Sequence, residues 1–295
     1  MLIKSFAGFI PTILAGIAGA LALAGLVAAI TGVGAIDAIA TYAIPVMGGG
    51  NGAGITPMSK MWAAATGGDA STWYASAFAI ISIGNLCAVF MSALLNKLGQ
   101  AKPSLTGNGK LMVGEEKLDA KTEDVKPTVG DYATGLALGV VCYNIANLYS
   151  KKISIINHAN LGFTIHTFAF MVILIAILNV SNILPANVKA GARGMQQFFV
   201  KYMSFPLMIT VGIGTNLSDY AKVFTNPAYI LIIMATVIGA MIGTFFVGKL
   251  FHFYPVESML TAGLCMANGG GSGDVQCLGA AHRMELMSYA QISSR

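Results

Sequence analysis

Pro45-Val-Met-Gly48-Gly49-Gly50-Asn51-Gly52-Ala-Gly54 and Cys265-Met-Ala-Asn268-Gly269-Gly270-Gly271-Ser272-Gly273-Asp274 are two glycine clusters set in otherwise strongly apolar sequence. A glycine run breaks a helix, and broken backbone at membrane depth is tolerated only where protein buries it or where it lines a watery cavity. Two such breaks in corresponding places of two halves point to the binding site of a secondary transporter. Two glycine-rich surface loops are the plainer alternative, and the apolar flanks argue against them.

The surrounding composition fits that reading. The 295 residues are 56% hydrophobic and only 10% charged, against about 25% charged in soluble domains. Several stretches reach the roughly 20 apolar residues that a spanning helix needs. They are too continuous for the alternating strands of a barrel. The fold class is therefore an all-α integral membrane protein. The net charge of +5 is read as a determinant of orientation, not as a nucleic-acid surface. Cys87, Cys142, Cys265 and Cys277 form no CxxC pair, so neither a disulfide framework nor a metal site is expected. His158, His166, His252 and His282 have no metal-ligand spacing. No paired carboxylates and no Ser–His arrangement stand where a pocket is expected, which disfavours an enzyme.

Working outward, the first spanning helix is expected over Ser5–Ile30, a hairpin over Ala35–Met58 that dips in and returns, a polar connector over Trp62–Asp69, and a second span over Thr72–Leu98. Gly99–Gly130, with its interleaved lysines and carboxylates, reads as a solvated loop. Further apolar runs are Asp131–Tyr149, Thr164–Leu184, Met203–Leu217 and Ala228–Phe251, with an amphipathic interfacial helix over Pro185–Tyr202. A second interrupted segment, Val256–Asn268, leads into the second cluster and a helical stretch Asp274–Arg295. Ser5 precedes Gly48 by 43 residues and Ala228 precedes Gly269 by 41, so helix, broken hairpin, helix occurs twice. The domain division expected is 1–98 as a first transport unit, 99–130 as a cytoplasmic linker, 131–227 as scaffold, and 228–295 as a second transport unit, clipped in its last helix. Six lysines between Lys97 and Lys126 place that loop in the cytoplasm, with Lys151 and Lys152 falling outside against the rule. The two hairpins then enter from opposite sides, an inverted-topology pair.

The clusters carry the chemistry. Half-helix N-termini favour carboxylates, and unwound carbonyls and hydroxyl oxygens suit sodium. Asn51, Asn268, Ser272, Ser293 and Ser294 are neutral polar groups beside the breaks. Arg295 ends an apolar helix, and its guanidinium suits bidentate carboxylate recognition. Asp274 is expected as a helix cap, Arg283 and Glu285 as an interfacial pair, and Lys60 and Glu257 as interfacial residues.

With the ending Arg283-Met-Glu-Leu-Met-Ser-Tyr-Ala-Gln-Ile-Ser-Ser-Arg295, the two clusters resemble those of the 2-hydroxycarboxylate transporter family, bacterial sodium–citrate and sodium–malate symporters with some proton-coupled or exchanging relatives. The resemblance implies eleven spanning helices, two re-entrant hairpins, elevator-type motion and a homodimer in the bacterial cytoplasmic membrane. By that pattern the chain lacks several N-terminal helices and most of the final one. It implies substrate contacts at Asn51, Gly52, Ser272 and Arg295, and sodium at Gly50, Cys265, Asn268, Ser272 and Ser294. Citrate-selective members of the pattern carry an arginine where this chain has Gly269, so a dicarboxylate such as malate is expected over a tricarboxylate. The expected function is sodium-coupled symport of malate or citrate. The alternatives are proton symport or exchange of the same substrates and, remotely, an ion channel.

Overall fold

The computed structural model describes residues 2–114, 127–160, 167–181, 183–203, 206, 209, 221 and 223–294. Contacts divide the chain into two compact units, Met1–Asp119 with Val211–Arg295, and Ala120–Thr210.

The first unit opens with α1 (Leu2–Thr31) and the short apolar helix α2 (Ala35–Met47). After the turn at Gly48–Gly50 the chain resumes as a π-helical turn, Asn51–Ile55, that runs into α3 (Thr56–Thr66). Gly67, at φ +70, ends α3 in the left-handed conformation that glycine adopts without strain. The polar connector expected over Trp62–Asp69 is thus helical as far as Thr66; apolar contact decides this, since Trp62 packs with Tyr74 and Phe78 around Ile55, Ala77 and Ile81. α4 (Ala70–Ala101) follows, its start marked by Asp69, whose carboxylate the Ser71 hydroxyl holds below the usual range.

α8 (Pro227–Leu250) packs along α1. Small residues bring the two backbones into contact: a Cβ on Gly19 would overlap the carbonyl oxygen of Gly239, and one on Gly239 would overlap that of Gly19. Gly243 meets the Ala15 carbonyl, and Gly16 meets Thr244, in the same seam. The chain then re-enters as α9 (Pro255–Ser258), continues as a π-helical stretch Met259–Leu264, turns at the second cluster, and leaves as α10 (Gly271–Ala280). α11 (Met287–Ser293) closes the unit.

The two hairpins share a register. The α-turn Ala35–Ala38 and the π-turn beginning at Ile39 recur as Pro255–Ser258 and the π-turn beginning at Met259, 220 residues on. Gly19 and Gly50 recur as Gly239 and Gly270 at the same separation. Among the described residues three helices are long and apolar enough to cross a membrane: Ala7–Thr31, Ala70–Ala101 and Pro227–Leu250.

The segment after α4 is not the loose loop its composition suggests, as far as it is described. A 3-10 turn at Pro103–Leu105 leads to Thr106, whose hydroxyl donates to Glu257 Oε1 at 2.6 Å. The Gly107 N–H donates to Glu257 Oε2 at 3.0 Å and the Gly109 N–H to Oε1 at 3.4 Å. Leu111 is fully buried, and a short antiparallel bridge pairs Met112 with Phe253. Glu257 is consequently no interfacial residue but a fully buried one. Its cation is Arg283, at 3.5 Å, not the lysine-rich solvent face, and Arg283 therefore pairs with Glu257 instead of Glu285. The remaining guanidinium donors reach the carbonyls of Ala281 and His282 and the Asn108 Oδ1. A charge this deep is tolerated only because every partner is supplied. Residues 115–126 of the expected loop lie outside the described residues.

In the second unit α5 (Val129–Asn160), α6 (Thr167–Val180) and α7 (Ala186–Phe198) are helical. The amphipathic helix expected near Pro185–Tyr202 packs its glycine face on α5: Gly191 meets Asp131, and Gly194 meets Tyr132. Asn187 donates to Asp131 Oδ1 at 3.0 Å. The crossing expected at Met203–Leu217 lies almost wholly outside the described residues.

Candidate binding site at the paired hairpin tips

The tips of the two hairpins meet backbone to backbone. A Cβ on Gly50 would lie 2.6 Å from the Gly270 Cα and 2.7 Å from its nitrogen. Gly50 (φ 87, ψ −167) and Gly270 (φ 88, ψ −150) occupy a region open in practice only to glycine. A helix end carries carbonyls and a helix start carries N–H groups that lack intrahelical partners; some are met locally here, as where the Gly48 N–H reaches the Pro45 carbonyl and the Ala267 N–H those of Gly263 and Leu264. The contact therefore joins two positive helix starts to two negative helix ends.

At the first tip, Asn51 opens the outgoing arm. Its backbone carbonyl accepts from Thr56 Oγ1 at 3.0 Å, and its side-chain Oδ1 accepts from the Tyr74 hydroxyl at 2.6 Å. Gly52 is exposed, and a Cβ there would meet nothing within 4 Å, so its backbone faces open space.

At the second tip, Asn268 is buried. Its Oδ1 accepts from the Gly270 N–H at 2.8 Å, and its Nδ2 donates to Asp274 Oδ1 at 2.9 Å. Ser294 donates to the other carboxylate oxygen, Asp274 Oδ2, at 2.7 Å. Ser293 donates to the Thr261 carbonyl at 2.5 Å and so ties α11 to the incoming arm. Cys265 is fully buried at the end of that arm, and Ser272 is half-buried in the first turn of α10. Arg295 lies outside the described residues.

Of the residues singled out in sequence, Gly50 meets the second cluster directly, and Asn268 and Ser294 converge on one carboxylate. That carboxylate belongs to Asp274, which is no helix cap: it sits in the fourth position of α10, which begins at Gly271 after the Gly270 cap. Two further residues went unread. Asn85 of α4 accepts from the Gly269 N–H at 3.2 Å and donates to Gln276 at 2.8 Å, holding the second tip from the helix that follows the first. An asparagine in the middle of an apolar span is the available signal, though Asn96 carries the same one near the span's end. Tyr74 had none.

Broken helices joined tip to tip inside an apolar helical bundle are a construction of secondary transporters. The sequence profile of the 2-hydroxycarboxylate transporter family matches residues 1–295, and the chain belongs to that family. It is similar to the citrate/sodium symporter of Salmonella typhimurium, at 41% identity over 300 residues covering all of this chain and 66% of the relative. It is also similar to the Na(+)-malate symporter of Bacillus subtilis (34% over 300 residues) and the citrate/malate-proton symporter of the same organism (30% over 302 residues), spanning 64% of each. The chain thus spans just under two thirds of these relatives' length. It is a membrane protein of a transporter family.

Proposed function

We propose that this chain is the core of a sodium-coupled symporter of a 2-hydroxycarboxylate, malate or citrate, in the bacterial cytoplasmic membrane, which it crosses several times. The meeting of the two glycine tips carries the proposal, because it sets helix starts that suit an anion beside helix ends that suit a cation. Asn51, the Gly52 backbone, Ser272 and Arg295 bind the substrate's carboxylates. Gly50, Cys265, Asn268, Ser272 and Ser294 surround sodium. Asp274 supplies the negative charge that offsets a desolvated cation, reaching the site through Asn268 and Ser294. The names of the Salmonella citrate/sodium and Bacillus Na(+)-malate relatives support both substrate class and ion.

In this reading the 220-residue register is an inverted repeat, and 1–98 with 228–295 form a body that moves as an elevator against a scaffold drawn from 131–227; of the linker 99–130, Thr106–Val113 is bound to that body and travels with it. A homodimer supplies the fixed partner surface, and lipid surrounds it.

The test is uptake of labelled malate into proteoliposomes by the transporter at its relatives' full length, with and without an inward sodium gradient. Sodium is expected to stimulate uptake, and Asp274→Asn to raise the sodium requirement at least about tenfold, since a hydrogen bond to a charged group is worth roughly 1.5–3 kcal/mol. Uptake indifferent to sodium but driven by a proton gradient or by internal exchange substrate would overturn the coupling and void the ion site.

Gly269 sets the choice between substrates. Its backbone is not in the positive-φ region, and a Cβ would meet only Asn85, at the ordinary distance of 3.8 Å. The backbone therefore accepts a Cβ at this position. Gly269→Arg is expected to shift the citrate-to-malate preference toward citrate by roughly tenfold or more, the worth of one charge-assisted pair. Competition uptake measures this, and an unchanged ratio refutes the assignment.

A further inference from the structure

We propose that Tyr74 is a positioning residue: it fixes which end of the Asn51 amide faces the substrate, and so makes the first hairpin tip select an anion. This rests on the reading of Asn51 as a substrate contact.

An asparagine amide has two unlike ends, a carbonyl that accepts and an NH2 that donates. In Asn51 the accepting end is taken by the Tyr74 hydroxyl at 2.6 Å. The Nδ2 donates to none of the described residues, and Asn51 is only half-buried, so the donating end is available to a ligand. A carboxylate needs that end. Turning the amide over would aim oxygen lone pairs at an incoming anion and leave the tyrosine proton without its acceptor.

Tyr74 is well placed to hold this choice. Its ring stacks on Phe78, with centroids 6.2 Å apart and planes 12° from parallel. It also packs against the buried Ile55, Ala77 and Ile81. The hydroxyl bond to the amide oxygen and an amide bond to a carboxylate polarise the same group in the same sense, so each strengthens the other.

The second half repeats the device. Ser294 stands 220 residues after Tyr74, the same offset that relates Gly50 to Gly270, and its hydroxyl likewise holds a hairpin side chain, Asp274, at 2.7 Å. In each half a hydroxyl at the same register position reaches back to a polar group of the outgoing arm, although the groups held, Asn51 and Asp274, are not themselves register equivalents.

The experiment compares Tyr74→Phe, Asn51→Ala and the double variant in the full-length transporter in proteoliposomes, with malate as probe. Tyr74→Phe keeps the ring and removes only the hydroxyl. Its malate KM is expected to rise about fivefold, the worth of one hydrogen bond, with maximal rate and sodium half-activation within about twofold of the parent. On the Asn51→Ala background the same change is expected to shift KM by less than about twofold, because the group it orients is gone. An unchanged KM in Tyr74→Phe, with Asn51→Ala raising KM, overturns the role of Tyr74 and leaves the substrate reading of Asn51 standing. An equal rise on both backgrounds overturns it too, since Tyr74 would then act elsewhere. No change of KM in Asn51→Ala overturns the reading of Asn51 and the proposal with it.

Discussion

Gly50→Ala is expected to reduce substrate uptake to a few per cent of the parent or less while the protein still reaches the membrane. Two effects combine. The backbone at φ 87 and ψ −167 is strained for any residue with a Cβ, at roughly 1–3 kcal/mol. The added methyl also lands 2.6 Å from the Gly270 Cα and 2.9 Å from the Gly269 carbonyl carbon, and backbone atoms cannot swing aside as a side-chain end can. The tips must therefore part, and Asn51, Ser272 and Asn268 lose their common setting. Gly270→Ala is the informative comparison. It has the same backbone strain, but its Cβ would stand at 3.5 Å from Gly50, an ordinary contact. Uptake in Gly270→Ala should exceed that in Gly50→Ala by roughly an order of magnitude, as judged from initial rates normalised to membrane protein. Equal rates, or a Gly50→Ala rate above half the parent's, would show that the tips do not depend on this contact.

The second large effect concerns stability. Glu257→Ala is expected to cost about 3–5 kcal/mol, because it strands a buried guanidinium whose charge the carboxylate balances. The Thr106 hydroxyl and the N–H groups of Gly107 and Gly109 lose their acceptor at the same time. Glu257→Gln keeps an acceptor oxygen but not the charge, and should fall between the two. Thermal unfolding of the purified protein in detergent measures the series, and a midpoint for Glu257→Ala within about 2 °C of the parent would rule out this account of the cluster.

The hairpins were legible because glycine runs leave few options in lipid-grade sequence, and their spacing of 43 and 41 residues already hinted at the common register. Their contact was not legible: nothing in either cluster says that Gly50 touches Gly270. The same limit explains the misreadings. Gly99–Gly130 looks solvated by composition, yet Thr106–Val113 is bound through partners about 150 residues away. Glu257 looks interfacial because it follows Pro255 at a helix start; the residues that pay for its burial lie in that distant segment and in Arg283. Asp274 matched a capping residue in local sequence, but the helix begins three residues earlier and frees its carboxylate for Asn268 and Ser294. Local propensity read the elements well and the long-range polar partners poorly, because those partners are set by topology.

The seam between α1 and α8 bears on how the molecule is made. Gly19 is matched by Gly239 and Gly243, so this part of the α1 face meets its partner only after some 220 further residues have been synthesised. Until then the small-residue face of α1 lacks the backbone that fills it in the finished structure. The ribosome delivers the two halves in sequence, but the seam forms between them in one late event. A chain interrupted before Pro227 is therefore left without the backbone partner of Gly19, whatever else of the first half has folded.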